Sequence, residues 1–243
     1  MNSFTYNGIN SADMGLKIQS KNVFSAPQYD VTFQSIPGRN GDLIVPNGRY
    51  PNMQVTYSVF LPARTTSELA TKITAVKNWL YKEQNTYHPL SDTYDTVFFR
   101  EAVFASQLDI EDELNRIGTF TVSFSCKPLK YANAGQTAIT VSSGGTLTNP
   151  YAFDSKPLIQ INGTGAGTVT FANSNGNLTL TLSAIDSFVM LDCEQMTIYK
   201  GATQKSDTVS SSGFPVLYGK STTTVTFTGG VTSLQITPRW CSV

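Results

Sequence analysis

The side chains that could do chemistry are few and scattered. The only histidine is His88, in Tyr87-His-Pro-Leu90. A nucleophilic triad needs a histidine held between an acid and a nucleophile, and no Gly-x-Ser-x-Gly elbow occurs to supply one. His88 therefore reads as an ordinary loop histidine just after a helix. Cys126, Cys193 and Cys241 lie far apart, with no Cys-x-x-Cys or His-x-x-x-His spacing that would build a zinc site. Their odd number and wide separation fit free thiols made in a reducing compartment, with one pairing left open.

Three acidic or glycine-rich runs deserve the same test. Asp109-Ile-Glu-Asp-Glu113 lacks the Asp-x-Asp-x-Asp-Gly pattern of a calcium loop, so it reads as a solvated loop or strand edge. Asp192-Cys-Glu194 puts two carboxylates on one face of a strand. Glycosidases use such a pair, but nothing nearby would raise the pKa of one partner, so it reads as an exposed strand end. Gly163-Thr-Gly-Ala-Gly167 is followed by no Gly-Lys-Ser/Thr and opens no helix, so it reads as a turn between strands. The sequons at Asn162 and Asn177 are chance matches in a Thr-rich chain. No catalytic residue, no cofactor-binding residue and no metal ligand is expected.

The elements that carry these residues follow from pattern. The chain has 243 residues with formal net charge +0, and only 14% are charged, against roughly 25% in an average domain. No basic field draws in nucleic acid. Apolar runs such as Phe188–Leu191 fall far short of the roughly 18 residues of a membrane span. The opening residues show no basic segment followed by an apolar one, so no signal peptide is expected. Polarity comes instead from Thr, Ser, Asn, Gln and Gly, which suits strands and turns.

Charge density divides the chain. Residues 1–131 carry 24 charged side chains, about 18%, and residues 132–243 carry 10, about 9%. A domain boundary is expected near residue 132, beside Ala132-Asn-Ala-Gly. In the first half, Tyr29, Val31 and Phe33 alternate with polar residues and predict a half-buried strand. Pro37-Gly-Arg-Asn-Gly41 predicts a tight hairpin turn, and Leu43–Val45 the returning strand. Thr65 and Glu68 have capping-box spacing, and Leu69, Ile73, Val76 and Leu80 repeat at helical intervals, predicting one helix over 65–81. The second half predicts only short strands, with Asn175-Gly176 as its clearest hairpin signal. The hairpin around Pro37–Gly41 carries apolar residues on both sides. It is either an ordinary internal hairpin or an arm that pairs with a neighbour.

At these residues the sequence resembles the distal tail protein (Dit) family of siphophages, whose long tails do not contract. The resemblance is carried by Phe4-Thr-Tyr-Asn-Gly-Ile9, Ser11–Ile18, Ile36-Pro-Gly-Arg-Asn-Gly-Asp-Leu43, the helix with Val76-Lys-Asn-Trp-Leu80, and Phe120–Tyr131. It continues through Lys156–Gly165, Asp192-Cys-Glu194, Phe214-Pro-Val-Leu217 and Pro238-Arg-Trp240. No single piece is specific, but their order over the whole chain is. The resemblance implies a mainly β protein: an N-terminal β-sandwich, residues 1–131, with one helix and a hairpin arm, then a C-terminal galectin-like antiparallel β-sandwich, residues 132–243. It implies a structural virion protein, not an enzyme, made in the bacterial host cytoplasm and built into the phage tail. As a homohexameric ring it would join the tail tube protein to the tail-tip or baseplate hub protein. Its C-terminal domain would dock a receptor-binding protein, DNA would touch it only in transit, and no membrane would be involved. Pro37, Gly38, Arg39, Gly41 and Val45 would form the inter-subunit arm. The alternative is a glycan-binding adhesion module. Against that, the C-terminal half has no histidine, whereas galectins bind sugar through a His-rich constellation.

Overall fold

The computed structural model describes residues 2–243. The chain forms two compact units, one ending at Lys130 and also taking Val243, the other spanning Tyr131–Ser242. Strands dominate both, and the single α-helix among the described residues lies in the first.

The first unit runs β1 (Phe4–Tyr6), β2 (Ile9–Asn10), β3 (Lys17–Lys21), β4 (Val31–Gln34), β5 (Leu43–Pro46) and β6 (Met53–Pro62). Helix α1 (Thr66–Leu80) follows, then β7 (His88–Asp92), β8 (Phe98–Phe104), β9 (Glu111–Glu113) and β10 (Ile117–Ala132). Its main sheet has the order β2-β1-β7-β8-β10-β6-β3, with β9 also on β10. The longest pairing runs from Ile117 opposite Pro62 to Cys126 opposite Met53.

The alternation of β6 explains this sheet. Val55, Tyr57, Val59 and Leu61 turn inward, while Gln54, Thr56, Ser58 and Phe60 turn out. The inward rings form the core. Phe4 stacks on Tyr57 at 4.4 Å and Tyr6 meets Phe124 at 4.7 Å. The helix covers this face with Leu69, Val76, Trp79 and Leu80. Trp79 Nε1 donates to the Tyr6 carbonyl at 3.0 Å, so its buried N–H is satisfied. At the helix start, Thr65 Oγ1 accepts from the Glu68 N–H at 3.2 Å. The return bond of the capping box lands one residue early, from the Arg64 N–H to Glu68 Oε2 at 2.8 Å.

The second unit contains β11 (Ile139–Val141), β12 (Gly145–Thr148), β13 (Leu158–Asn173), β14 (Gly176–Asp192), β15 (Thr197–Lys200), β16 (Thr203–Gln204), β17 (Val209–Ser210), β18 (Thr222–Thr237) and β19 (Cys241–Ser242). Eight of these, β11 to β18, form one antiparallel sheet of order β11-β18-β13-β14-β15-β16, with β12 on β18 and β17 on β14. The short strands expected from sequence are thus joined into three long ones of 16, 17 and 16 residues. The run Gly163–Gly167 is not a turn between strands. It is an irregular stretch inside β13, where the register with β14 and β18 shifts. A Cβ on Gly163 would sit 2.1 Å from the Gly230 carbonyl oxygen, so two backbones approach where only glycine fits. The irregularity also resets which side chains face inward. Leu180 and Leu182 are buried at even positions of β14, Ile185, Val189 and Leu191 at odd ones.

Candidate interaction site

β4 and β5 form a two-stranded ribbon separate from both larger sheets. Val31 pairs with Pro46, Thr32 with Val45, Phe33 with Ile44 and Gln34 with Leu43. Alternation puts Val31, Phe33, Ile44 and Pro46 on one face and Thr32, Gln34, Leu43 and Val45 on the other. Apolar side chains therefore stand on both faces, and neither meets a core. Phe33 is 62% exposed and Ile44 59%. With Phe24, Tyr29, Ile36, Leu43 and Val45, the segment 24–45 holds half of the large exposed apolar side chains identified in the described residues. Burying a Phe or Ile from such a position is worth roughly 1.5–3 kcal/mol. Exposed apolar side chains concentrated in one segment, rather than scattered singly, mark a candidate interaction site.

The expectation of a half-buried strand at Tyr29, Val31 and Phe33 is thus corrected. The period is that of a strand, but no layer of this unit lies against it. The tight hairpin turn expected at Pro37–Gly41 is also corrected, because residues 35–42 form an eight-residue loop. Within it, Ile36-Pro-Gly-Arg39 closes a turn through the Arg39 N–H and the Ile36 carbonyl at 3.1 Å, with Gly38 at φ +81°. Proline second and positive-φ glycine third make a type II turn. Gly41, at φ +83°, bends the chain back into β5. Of the predicted arm residues, Pro37, Gly38, Arg39 and Gly41 gather in this loop, while Val45 lies down the ribbon opposite Thr32. All are exposed.

The root of the ribbon is polar. Asp30 Oδ2 accepts from Arg49 Nε at 2.8 Å and Asp30 Oδ1 from Asn47 Nδ2 at 2.8 Å. The Asp30 N–H donates to the Arg49 carbonyl and the Asn47 N–H to the Asp30 carbonyl, both at 3.0 Å. The Arg49 guanidinium, then the Asn47 amide, holds the Asp30 carboxyl below its usual range. The rings of Tyr29 and Tyr50 meet at 4.9 Å beside this clamp. An isolated hairpin is marginal in water, so such a root is what keeps the ribbon formed. Sequence reading missed both the clamp and the exposure of Phe33 and Ile44, the two most exposed apolar residues of β4 and β5. The signal available was the spacing of Asp30 and Arg49 on either side of the hairpin.

The other chemical candidates occupy structural places. His88 opens β7 and is not in a loop. Its ring lies edge-on to Tyr6 at 5.7 Å, with Nε2 at 3.1 Å from both the Glu83 carbonyl and Thr86 Oγ1. Asp192 is 4% exposed, so the exposed strand end expected there is corrected. Arg239 Nη1 and Nη2 reach its two oxygens at 2.8 and 3.0 Å, and the Glu194 and Gln195 N–H groups also donate to it. Glu194 accepts from the Tyr131 hydroxyl at 2.8 Å. These two carboxylates are consumed by folding contacts. Asp109–Glu113 lies on an exposed segment that includes β9. All three cysteines are free and buried. No described helix is long and apolar enough to cross a membrane.

Comparison with known proteins gives a consistent picture. Residues 8–126 match the family model of the phage tail protein RIFT-related domain. None of the curated proteins matches by sequence. Among solved structures, the chain is similar to the Dit protein (gp 19.1) of phage SPP1, described as a paradigm of the hub adsorption apparatus in phages infecting Gram-positive bacteria. The TM-score is 0.76 at 14% identity, covering 97% of this chain and 98% of that one. It is also similar to a chain of the phage P2 baseplate in its activated conformation with Ca, at TM-score 0.54 and 7% identity over 97% of each chain. Residues 8–126 thus match that domain family, and the chain as a whole shares the mainly β fold of the SPP1 Dit protein.

Proposed function

We propose that the protein is a structural hub of a phage tail: a hexameric ring between the tail tube protein and the tail-tip or baseplate hub protein. The observation that carries this reading is the ribbon β4–β5, rooted by a polar clamp and apolar on both faces. In a ring, each chain lends its ribbon to the next, so Phe33, Ile44, Leu43 and Val45 are covered and Arg39 reaches a neighbour. Contacts of this head-to-tail kind close only at a fixed subunit number, which stops open-ended polymerisation. Residues 1–131 build the ring. Residues 132–243 face outward and dock a receptor-binding protein. DNA passes through the ring in transit, and a chain of zero net charge does not hold it. The role is structural and non-enzymatic, in the virion tail.

Light scattering and negative-stain imaging of the full chain test this. The expected result is rings of six for the natural protein and monomers for Phe33→Asp/Ile44→Asp, with unchanged far-UV circular dichroism. A natural protein that stays monomeric at high concentration, alone and with its tail partners, overturns the reading.

A further inference from the structure

Five asparagines of this chain precede a glycine: Asn7, Asn40, Asn47, Asn162 and Asn175. Such a pair can modify itself. The glycine nitrogen, once hydroxide has taken its proton, attacks the asparagine Cγ. A C–N bond forms, the bond to the side-chain amide nitrogen breaks, and ammonia leaves with a proton from water. Water then opens the succinimide at one carbonyl or the other, giving aspartate or isoaspartate. Glycine permits this because it has no side chain to crowd the ring and leaves the backbone free to turn. The local sequence is permissive at all five, so the fold decides among them by what keeps the two reacting groups from meeting.

Four of the five are held. Asn162 lies inside β13: its Oδ1 accepts from Gln160 Nε2 at 2.7 Å, its Nδ2 donates to Ser233 Oγ at 3.2 Å, and Gly163 is paired on both sides. Asn47 belongs to the clamp, with both its Nδ2 and its N–H bonded to Asp30. Asn7 and Gly8 make the turn between Tyr6 and its partner Ile9, and the Asn7 N–H donates to the Pro89 carbonyl at 3.3 Å. Gly176 is paired with Asn173 at the first rung of the β13–β14 hairpin, and the Asn175 N–H donates to Asn173 Oδ1 at 2.9 Å.

Asn40 is different. It lies in the loop 35–42, outside the last ribbon pair Gln34 and Leu43 and just past the turn that ends at Arg39. Asn40 and Gly41 are both exposed, and neither the Asn40 side chain nor the Gly41 N–H bonds to another described residue. A Cβ on Gly41 would meet nothing within 4 Å, so no neighbour confines the chain there. Solvent, which both starts and ends the reaction, reaches both groups.

We propose that Asn40 is a self-modification site, which in the free chain converts to aspartate and isoaspartate ahead of the other four. The product alters the tip of the ribbon in charge and in backbone. Arg39 and Asp42 are the only charged residues of the loop and cancel each other, so a new carboxylate beside Arg39 leaves the loop net negative. Isoaspartate also routes the chain through the side chain, adding a methylene where Gly41 bends it back into β5. A converted chain is then a poorer ring former, so time spent unassembled is recorded at the contact itself. That consequence rests on the ring reading, whereas the assignment of the site does not.

The test incubates the full chain in mildly alkaline buffer, with and without denaturant, and follows each asparagine by mass spectrometry of the digested protein. In native buffer Asn40 is expected to convert first, roughly tenfold or more ahead of Asn47 and Asn162, whose hydrogen bonds must open before attack. In denaturant the rates are expected to converge, because every pair is then free. Asn40→Gln is expected to stay unmodified at this position, since the longer side chain must close a larger ring. Another asparagine converting ahead of Asn40 in the native chain, or the same spread of rates with and without denaturant, overturns the proposal. Light scattering reads the consequence separately: Asn40→Asp is expected to shift the oligomer toward monomer, and Asn40→Gln is not. Equal assembly of the two variants overturns the effect on assembly. A natural protein that never assembles overturns the ring reading, and the order of rates still decides the site.

Discussion

Arg239 holds Asp192 by both oxygens, 2.8 and 3.0 Å away, from a backbone position of positive φ, +52°. The pair joins the end of β14 to the segment after β18. Burial alone would push the Asp192 carboxyl up, but the Arg239 guanidinium and the N–H groups of Gln195 and Glu194 outweigh it and leave the carboxyl below its ordinary value. Breaking a buried pair leaves an uncompensated charge. Arg239→Met is expected to destabilise the second unit by about 3 kcal/mol in urea titrations at neutral pH.

The sign of the pH dependence follows from the same pair. A carboxyl whose folded pKa is depressed contributes stability that is complete above its unfolded value, near 3.8, and is lost as pH falls through the lower folded one. The stability gap between the natural protein and Arg239→Met should therefore be constant from pH 7 down to about 5 and close below about 4. A gap that widens in acid would show that Asp192 is not the titrating partner.

Gly38 and Gly41 both sit at positive φ, and a Cβ on either would meet nothing within 4 Å. Any effect of substitution is thus conformational, not steric crowding. Gly38→Val/Gly41→Val is expected to lower stability by about 2–4 kcal/mol, about 1–2 at each position, while reshaping the ribbon tip and shifting the proposed ring toward monomer. Light scattering reads this out, and an unchanged oligomer size would remove the loop from the subunit contact.

Gly163 is the opposite case, because a methyl group there collides with the Gly230 carbonyl. Gly163→Ala should destabilise the second unit by about 1–3 kcal/mol or more, seen as a lowered melting temperature, with the ribbon and ring contacts unaffected.

The thiols should be silent in the native state. Burial pushes Cys126 and Cys193 up to about 12 and Cys241 up to about 11. Little thiolate exists at neutral pH, and the sulfurs are covered. Reaction with a disulfide reagent is expected only after denaturant is added, when three equivalents appear. Rapid native labelling would contradict this burial.

Much of the architecture was legible because period and caps act locally. Leu69, Val76 and Leu80 repeat at helical spacing and do face the core, and Thr65 caps as its spacing with Glu68 implies. Asn175-Gly176 does mark a hairpin, between β13 and β14. What pattern could not show was what lies opposite a strand. Val31 and Phe33 alternate as core residues do, yet their face meets no second layer in this chain. Asp192 looked exposed because its partner, Arg239, is 47 residues away. The glycines from 163 to 167 signalled a break in ordinary strand geometry. Only the backbone of Gly230 opposite shows that the break is a close approach inside one long strand.

The clamp at Asp30 and Arg49 bears on the entropy of assembly. A loose apolar hairpin would search many directions and lose that freedom on docking, at roughly 0.5–1.5 kcal/mol for each immobilised side chain and more for the backbone. Four hydrogen bonds at the root, between Asp30 and the pair Asn47 and Arg49, hold the two strands of the ribbon together before any partner arrives. The ordering penalty is met during folding of the monomer. In the proposed ring, association would then draw on much of the free energy of burying Phe33, Leu43, Ile44 and Val45.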